Sequence, residues 1–78
     1  MTIEHSTIWD AVESMARARN MSCSALARFC GLDATTFNKS KRWTNNGKPR
    51  WISTATLAKI LNSTGTSVRQ FAEFFPED

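Results

Sequence analysis

SCSALARFCGLDATTFNKSKR, residues 22 to 42, is the stretch that decides how the rest of this chain is read. Ser22 is a good N-cap, and Cys23, Leu26, Ala27 and Cys30 fall at i, i+3, i+4 and i+7, on one face of a short helix. Gly31 ends that helix, because glycine enters the left-handed region at no steric cost. Leu32 follows as a buried anchor, and Asp33 is placed to cap a second helix from Ala34 to about Ser40, with Phe37 pointing back at the first. Two short helices joined by a glycine-containing turn form a helix-turn-helix unit. Small Ala27 lets the helices approach closely, while Leu26, Leu32 and Phe37 supply the apolar wedge.

Outward from this stretch, charge is segregated. Residues 1–33 hold Arg17, Arg19 and Arg28 against Glu4, Asp10, Glu13 and Asp33. Residues 34–72 hold Lys39, Lys41, Arg42, Lys48, Arg50, Lys59 and Arg69 with no acid, and Glu73, Glu77 and Asp78 close the chain. The net charge of +3 conceals this block. A positive field that begins where the second helix begins attracts a polyanion.

Upstream, a first helix is expected to start between Glu4 and Thr7 and to run to about Asn20. Ile8, Val12 and Met15 form its core stripe, with Trp9 and Ala16 alongside and Asp10, Glu13 and Arg17 facing away. His5 falls at a frayed start. Downstream, KRWTNNGKPRWI (41–52) is irregular, with a turn signal at Asn46-Gly47, and Pro49 excludes a helix. Its length of roughly ten residues is typical of functional loops, and one or both of Trp43 and Trp51 are expected to pin it to the core. Ser53 then caps a helix with core residues Leu57, Ile60 and Leu61, ended by Gly65. Ser67 and Gln70 form a capping box for a last helix with Val68, Phe71, Ala72 and Phe75 on one face, stopped by Pro76.

These elements add up to an all-α fold of five short helices in a single domain, residues 1–78. A chain of this length buries only about 60–65% of its unfolded surface, enough to fold alone with little to spare. No apolar run approaches the roughly 20 residues of a membrane span, and no signal peptide opens the chain, so a soluble cytoplasmic protein is expected. Cys23 and Cys30 are about 10 Å apart along one helix, beyond the limit of about 7 Å for a disulfide. They are read as reduced thiols. No metal cluster, no cofactor motif and no small-molecule site is evident, and no catalytic constellation points to an enzyme.

SALARFCGLDATTFNKSKR, followed by GKPRW and IST, resembles the phage-repressor-like helix-turn-helix regulators of bacteria, in the wider lambda-repressor-like class. The likeness is greatest to the amino-terminal domains of regulators that carry a self-cleaving peptidase domain downstream, and it covers about residues 5 to 75. The resemblance implies a five-helix DNA-binding domain acting as a homodimer on a pseudo-palindromic operator, usually as a repressor. It also implies either an excised domain or a short regulator without the peptidase. Two positions depart from the pattern. Ser40 stands where an aliphatic residue is common, which leaves room for an irregular or shorter recognition helix, and Phe29 stands where a polar residue is more usual.

On this reading Ala34, Thr35, Asn38 and Lys39 face base edges in the major groove. Lys41, Arg42, Lys48 and Arg50 hold phosphates, and the helix start at Ser22 offers another phosphate site. Phe29, Phe74 and Trp43 are the apolar residues left for a weak dimer interface. The rival readings are a helical module whose basic face binds an acidic protein partner, and RNA binding through the tryptophans.

Overall fold

His5 to Ala18 form the first and longest helix, α1; the computed structural model describes residues 3–75. The N–H of Glu4 donates to Thr7 Oγ1 at 3.1 Å and holds the helix start. Trp9, Ala11, Val12, Met15 and Ala16 are buried. Ile8, expected in the stripe, is only half-buried. At the other end Asn20 adopts a left-handed φ of 57°. The N–H of Met21 then reaches back to Ala16 O at 2.9 Å, satisfying a carbonyl the helix leaves free.

Helix α2 spans Cys23–Phe29, and Ser22 Oγ accepts from the Ala25 N–H as expected. Gly31 takes the left-handed φ of 74° that the turn requires. It lets the Leu32 N–H return to Ala27 O at 2.9 Å, the same closure as at the end of α1. Leu26, Ala27 and Cys30 are buried on the predicted face, while Cys23 and Leu32 are half-buried against the core.

The expected α-helix from Ala34 to Ser40 does not form. Residues 34–37 make a turn, and a short 3₁₀ helix follows over Lys39–Arg42. Among the described residues there are four α-helices rather than five, with no β-strand, so the class is all-α. Phe37 nonetheless reaches its predicted place, 1% exposed and in edge-on contact with Trp9. Full burial of a side chain of this kind contributes about 1.5–3 kcal/mol.

Helices α3 (Thr54–Thr64) and α4 (Val68–Ala72) close the bundle. Ser53 caps α3, Gly65 ends it in the left-handed region, and Ser67 and Gln70 form the predicted capping box of α4. Ile60, Leu61 and Phe71 enter the core. Val68, expected there, is 73% exposed at the first position of α4. Phe74, expected to be spare for an interface, is half-buried against the core with Phe75. Pro76, read as the stop signal, lies outside the described residues.

Candidate nucleic-acid interface

The segment from Asp33 to Arg50 carries most of the residues singled out from sequence. Its first turn is shaped by side chains competing with the backbone. Asp33 Oδ1 accepts both the Thr35 N–H, at 2.8 Å, and the Thr35 hydroxyl, while the Thr36 hydroxyl donates to Asp33 O at 2.6 Å. Local bonds of this kind favour turns over helix interiors. The backbone follows with three-residue steps, from Thr36 N–H to Asp33 O, Asn38 N–H to Thr35 O and Lys41 N–H to Asn38 O. Thr35 holds the exposed Asp33 carboxyl below the usual carboxylate range, by its hydroxyl first and its N–H second.

Arg42 is the largest correction. It was placed among the phosphate-binding residues, but it is 8% exposed and its guanidinium is committed inside the fold. Nη2 donates to Glu13 Oε1 at 2.9 Å and to Phe37 O at 3.0 Å, and the guanidinium carbon lies 5.2 Å from the Trp9 ring centroid. A buried cation with those partners is structural, and solvent-borne phosphate has no access to Nη2.

Residues 42–50 fold into a narrow hairpin closed by one antiparallel bridge between Trp43 and Pro49. Arg50 N–H donates to Arg42 O at 2.8 Å, Thr44 N–H to Lys48 O at 2.8 Å, and Gly47, with φ 77°, makes the tip. The predicted turn is correct. The predicted pins are not, since Trp43 and Trp51 are 51% and 53% exposed.

The hairpin is held instead by three side chains of α1. His5 Nε2 lies 2.6 Å from Arg42 O, Trp9 Nε1 donates to Arg50 O at 3.0 Å, and Glu13 pairs with Arg42. A carbonyl oxygen can only accept, so His5 Nε2 carries a proton. His5 is therefore buried and engaged, not frayed. The spacing of His5, Trp9 and Glu13 is i, i+4, i+8, one line along a helix, and that signal is present in the sequence.

With its base fixed, the segment projects its remaining polar groups outward. Thr35, Asn38, Lys39, Lys41, Lys48 and Arg50 are exposed, and Ala34 is half-buried. The Thr35 hydroxyl is used by Asp33, whereas the Asn38 side chain makes no cap bond to the 3₁₀ helix it precedes. Lys39 and Ser22 come together with Arg17 around an open cleft of about 340 Å³ between α1 and the start of α2. Arg17 was not among the expected contacts. Lys41, Lys48 and Arg50 do not line that cleft. Among core residues of the proposed motif, Leu26, Ala27 and Phe37 are buried, Leu32 is half-buried, and Gly31 sits beneath the Lys59 side chain.

Set against protein-family models, curated proteins and solved structures, the chain matches none.

Proposed function

We propose that this chain binds double-stranded DNA sequence-specifically, as a bacterial or phage transcriptional regulator acting in the cytoplasm. The reading extends to a homodimer on a pseudo-palindromic operator, working as a repressor. One observation carries it. Lys39, Lys41, Lys48 and Arg50 are all exposed on a segment that Arg42 fastens to α1, and no acid interrupts residues 34–72. A run of exposed bases held in a fixed shape is what a phosphate backbone attracts.

In this reading Asn38 is the principal base reader. Its amide is exposed, and a primary amide matches the donor and acceptor that adenine presents in the major groove. Thr35 and Ala34 offer methyl contacts, and Lys39 serves base or phosphate. Lys41, Lys48 and Arg50 set register on the backbone, with Ser22 and Arg17 as a second phosphate contact beside Lys39. The first turns of a true α-helix are not required for this. A turn and a 3₁₀ helix leave Thr35, Asn38 and Lys39 exposed and Ala34 half-buried.

The test is fluorescence anisotropy of a labelled random duplex at two salt concentrations, with an acidic polypeptide as competitor. If Lys39, Lys41, Lys48 and Arg50 of each subunit meet phosphates, a dimer engages eight through them, before any added by Arg17. Log K then falls against log salt with a slope of about −7. If the acidic polypeptide competes as well as duplex of equal charge, a basic protein-binding module is the better reading.

A further inference from the structure

Trp43 and Trp51 stay half-exposed although the hairpin is fastened, and both border one cleft. It opens beside the first turn of α1, with a volume of about 460 Å³. Trp43, Pro49 and Trp51 border it from the hairpin side, and Ile3, Glu4 and His5 from the start of α1. We infer that this cleft binds a compact quaternary ammonium compound of the choline type, with the cation against Trp43 and Trp51 and the Glu4 carboxylate as its counter-charge.

The aromatic side comes first. Both indoles stand steeply against a single imidazole. Between ring centroids His5 lies 4.7 Å from Trp43 and 6.2 Å from Trp51, with interplanar angles of 62° and 72°. His5 is buried and bonded to Arg42 O, so the place where the rings meet is fixed before any ligand arrives. An aromatic ring carries negative potential on its face, and a cation within about 6 Å of the centroid is attracted to it. Tryptophan is the strongest of the aromatic side chains in this respect. Two exposed indoles on one cleft therefore favour a cation over a neutral group of the same shape.

The charge at the cleft has the matching sign. Among the described residues Glu4 is the one acid bordering it, and no lysine or arginine does. Lys48 and Arg50 belong to the same hairpin but are not part of this lining. Lys39 and Arg42 border an adjoining cleft of about 150 Å³ instead, where Asp10 accompanies Lys39. Arg42 is already paired with Glu13 at 2.9 Å.

The lining also selects the kind of cation. A primary ammonium holds its water tightly, and a metal ion needs several oxygen partners that ring and hydrocarbon do not supply. A quaternary ammonium presents its charge through methyl groups and asks for no hydrogen bond. It gains apolar burial against the indoles, Ile3 and Pro49 while the cation meets the rings. The cleft lies toward the lower end of small-molecule sites, about 300–1,000 Å³, which suits a compact cation rather than a peptide.

The indole N–H signals of Trp9, Trp43 and Trp51 are followed by NMR during titration with choline chloride, against sodium chloride at the same ionic strength. A parallel arm uses the neutral tert-butyl analogue of choline, in which carbon replaces the nitrogen. Choline is expected to move the Trp43 and Trp51 signals saturably, with millimolar affinity, while Trp9, bonded to Arg50 O, stays nearly still. The neutral analogue should bind at least about threefold more weakly. Trp51→Leu should weaken choline about fivefold, as for loss of one exposed cation–ring contact. Glu4→Gln, which keeps the backbone N–H that bonds Thr7, should weaken it about twofold to threefold.

Absence of any saturable shift at about 100 mM choline, a level that detects even affinities of about 10 mM, overturns the site. So does unchanged choline binding in a folded Trp51→Leu chain. Equal affinity for choline and its neutral analogue overturns the cation, and an unaltered Glu4→Gln chain overturns the counter-charge. A neutral peptide with one trimethyl-lysine that binds at least about tenfold more tightly than choline overturns the free compound as occupant and assigns the cleft to a modified protein. The site stands apart from duplex binding. Lys48 does not border it, so Lys48→Ala lowers duplex affinity under the DNA reading and leaves choline affinity unchanged.

Discussion

Arg42 donates from Nη2 to the carbonyl oxygen of Phe37 at 3.0 Å. In an α-helix that oxygen would accept the N–H of Lys41, four residues on. Lys41 instead donates to Asn38 O at 2.9 Å, and the segment tightens to 3₁₀ geometry. The same guanidinium nitrogen is anchored by Glu13 at 2.9 Å, so a residue on α1 helps determine the local helix type some thirty positions later.

Breaking that anchor should destabilise the whole chain. Removing one partner of a buried pair leaves the other charge uncompensated and costs about 3–5 kcal/mol. The Glu13 end retains some solvent contact, so Arg42→Ala should lose about 3 kcal/mol and Glu13→Gln about 1–2 kcal/mol. Urea denaturation of each variant checks this. Wild-type stability in Arg42→Ala would show that the guanidinium is not structural and return it to the pool of phosphate ligands.

Lys48→Ala and Arg50→Ala should weaken binding to all duplexes alike. Each should flatten the salt slope by about one unit, since each removes one phosphate contact. Arg50 is the stricter test, because its backbone is bonded on both sides by Arg42 O and Trp9 Nε1 while its side chain is exposed. A slope that stays at the wild-type value means the hairpin does not touch the backbone.

Asn38→Ala should lose sequence preference without losing general affinity. A bidentate amide–adenine pair contributes about 1–3 kcal/mol of discrimination, or roughly ten- to a hundredfold at one base pair per half-site. A panel of single-base operator variants measures it. An equal drop across the panel assigns Asn38 to positioning rather than reading.

Acid should act on the turn through Asp33. Its folded carboxyl titrates below the ordinary value of 3.8 because Thr35 bonds its charged form. Stability from this group is therefore fully present above the unfolded pKa and is lost as pH falls through the lower folded value. Asp33→Asn keeps an oxygen acceptor for the turn but cannot titrate. Thermal melts below about pH 5 should fall less steeply for the variant than for the parent. Parallel curves would mean that the Thr35 bonds do not persist in solution.

The thiols give a reading of core integrity. Burial pushes Cys30 up from its ordinary value, and burial followed by Glu13 does the same to Cys23. Stability linked to these groups is fully present below the unfolded value near 9.0 and is lost as pH rises through the folded values. Cys30, 3% exposed, should react with a thiol reagent only on unfolding, and half-buried Cys23 should react first. Fast native labelling of Cys30 would contradict the packing of α2.

Much of the bundle is legible in its punctuation. Ser22, Ser53 and Ser67 each cap the helix they were expected to cap, and Gly31 and Gly65 each take the left-handed conformation that ends one. Those signals are local, so they survive without knowledge of the fold. Arg42 failed for the opposite reason. Within a basic run its charge looks like that of Lys41 or Arg50, and only the approach of α1 singles it out. The helix expected at 34–40 failed because Asp33 and two threonines bond locally while Phe37 O is taken from a distance. His5 and the exposed tryptophans were misread together. Once His5 takes the Arg42 carbonyl and Trp9 the Arg50 carbonyl, the hairpin has its fastening and the other two indoles are not needed for it.

The hydrogen bonds of that fastening reach residues 42 and 50 of the hairpin, through both carbonyl oxygens and the Arg42 side chain, and the His5 ring packs edge-on against Trp43 beside them. Beyond it, Thr44, Gly47 and Lys48 bond to one another across the turn. The tip is thus an interchangeable module on a fixed socket. Its length and composition can be altered, by grafting or by natural drift, without renegotiating the core, provided the two socket residues stay opposite each other. Residues 5, 9 and 13 enjoy no such freedom, and a fusion or trim at the amino terminus that disturbs the first turn of α1 would be felt at the far end of the loop.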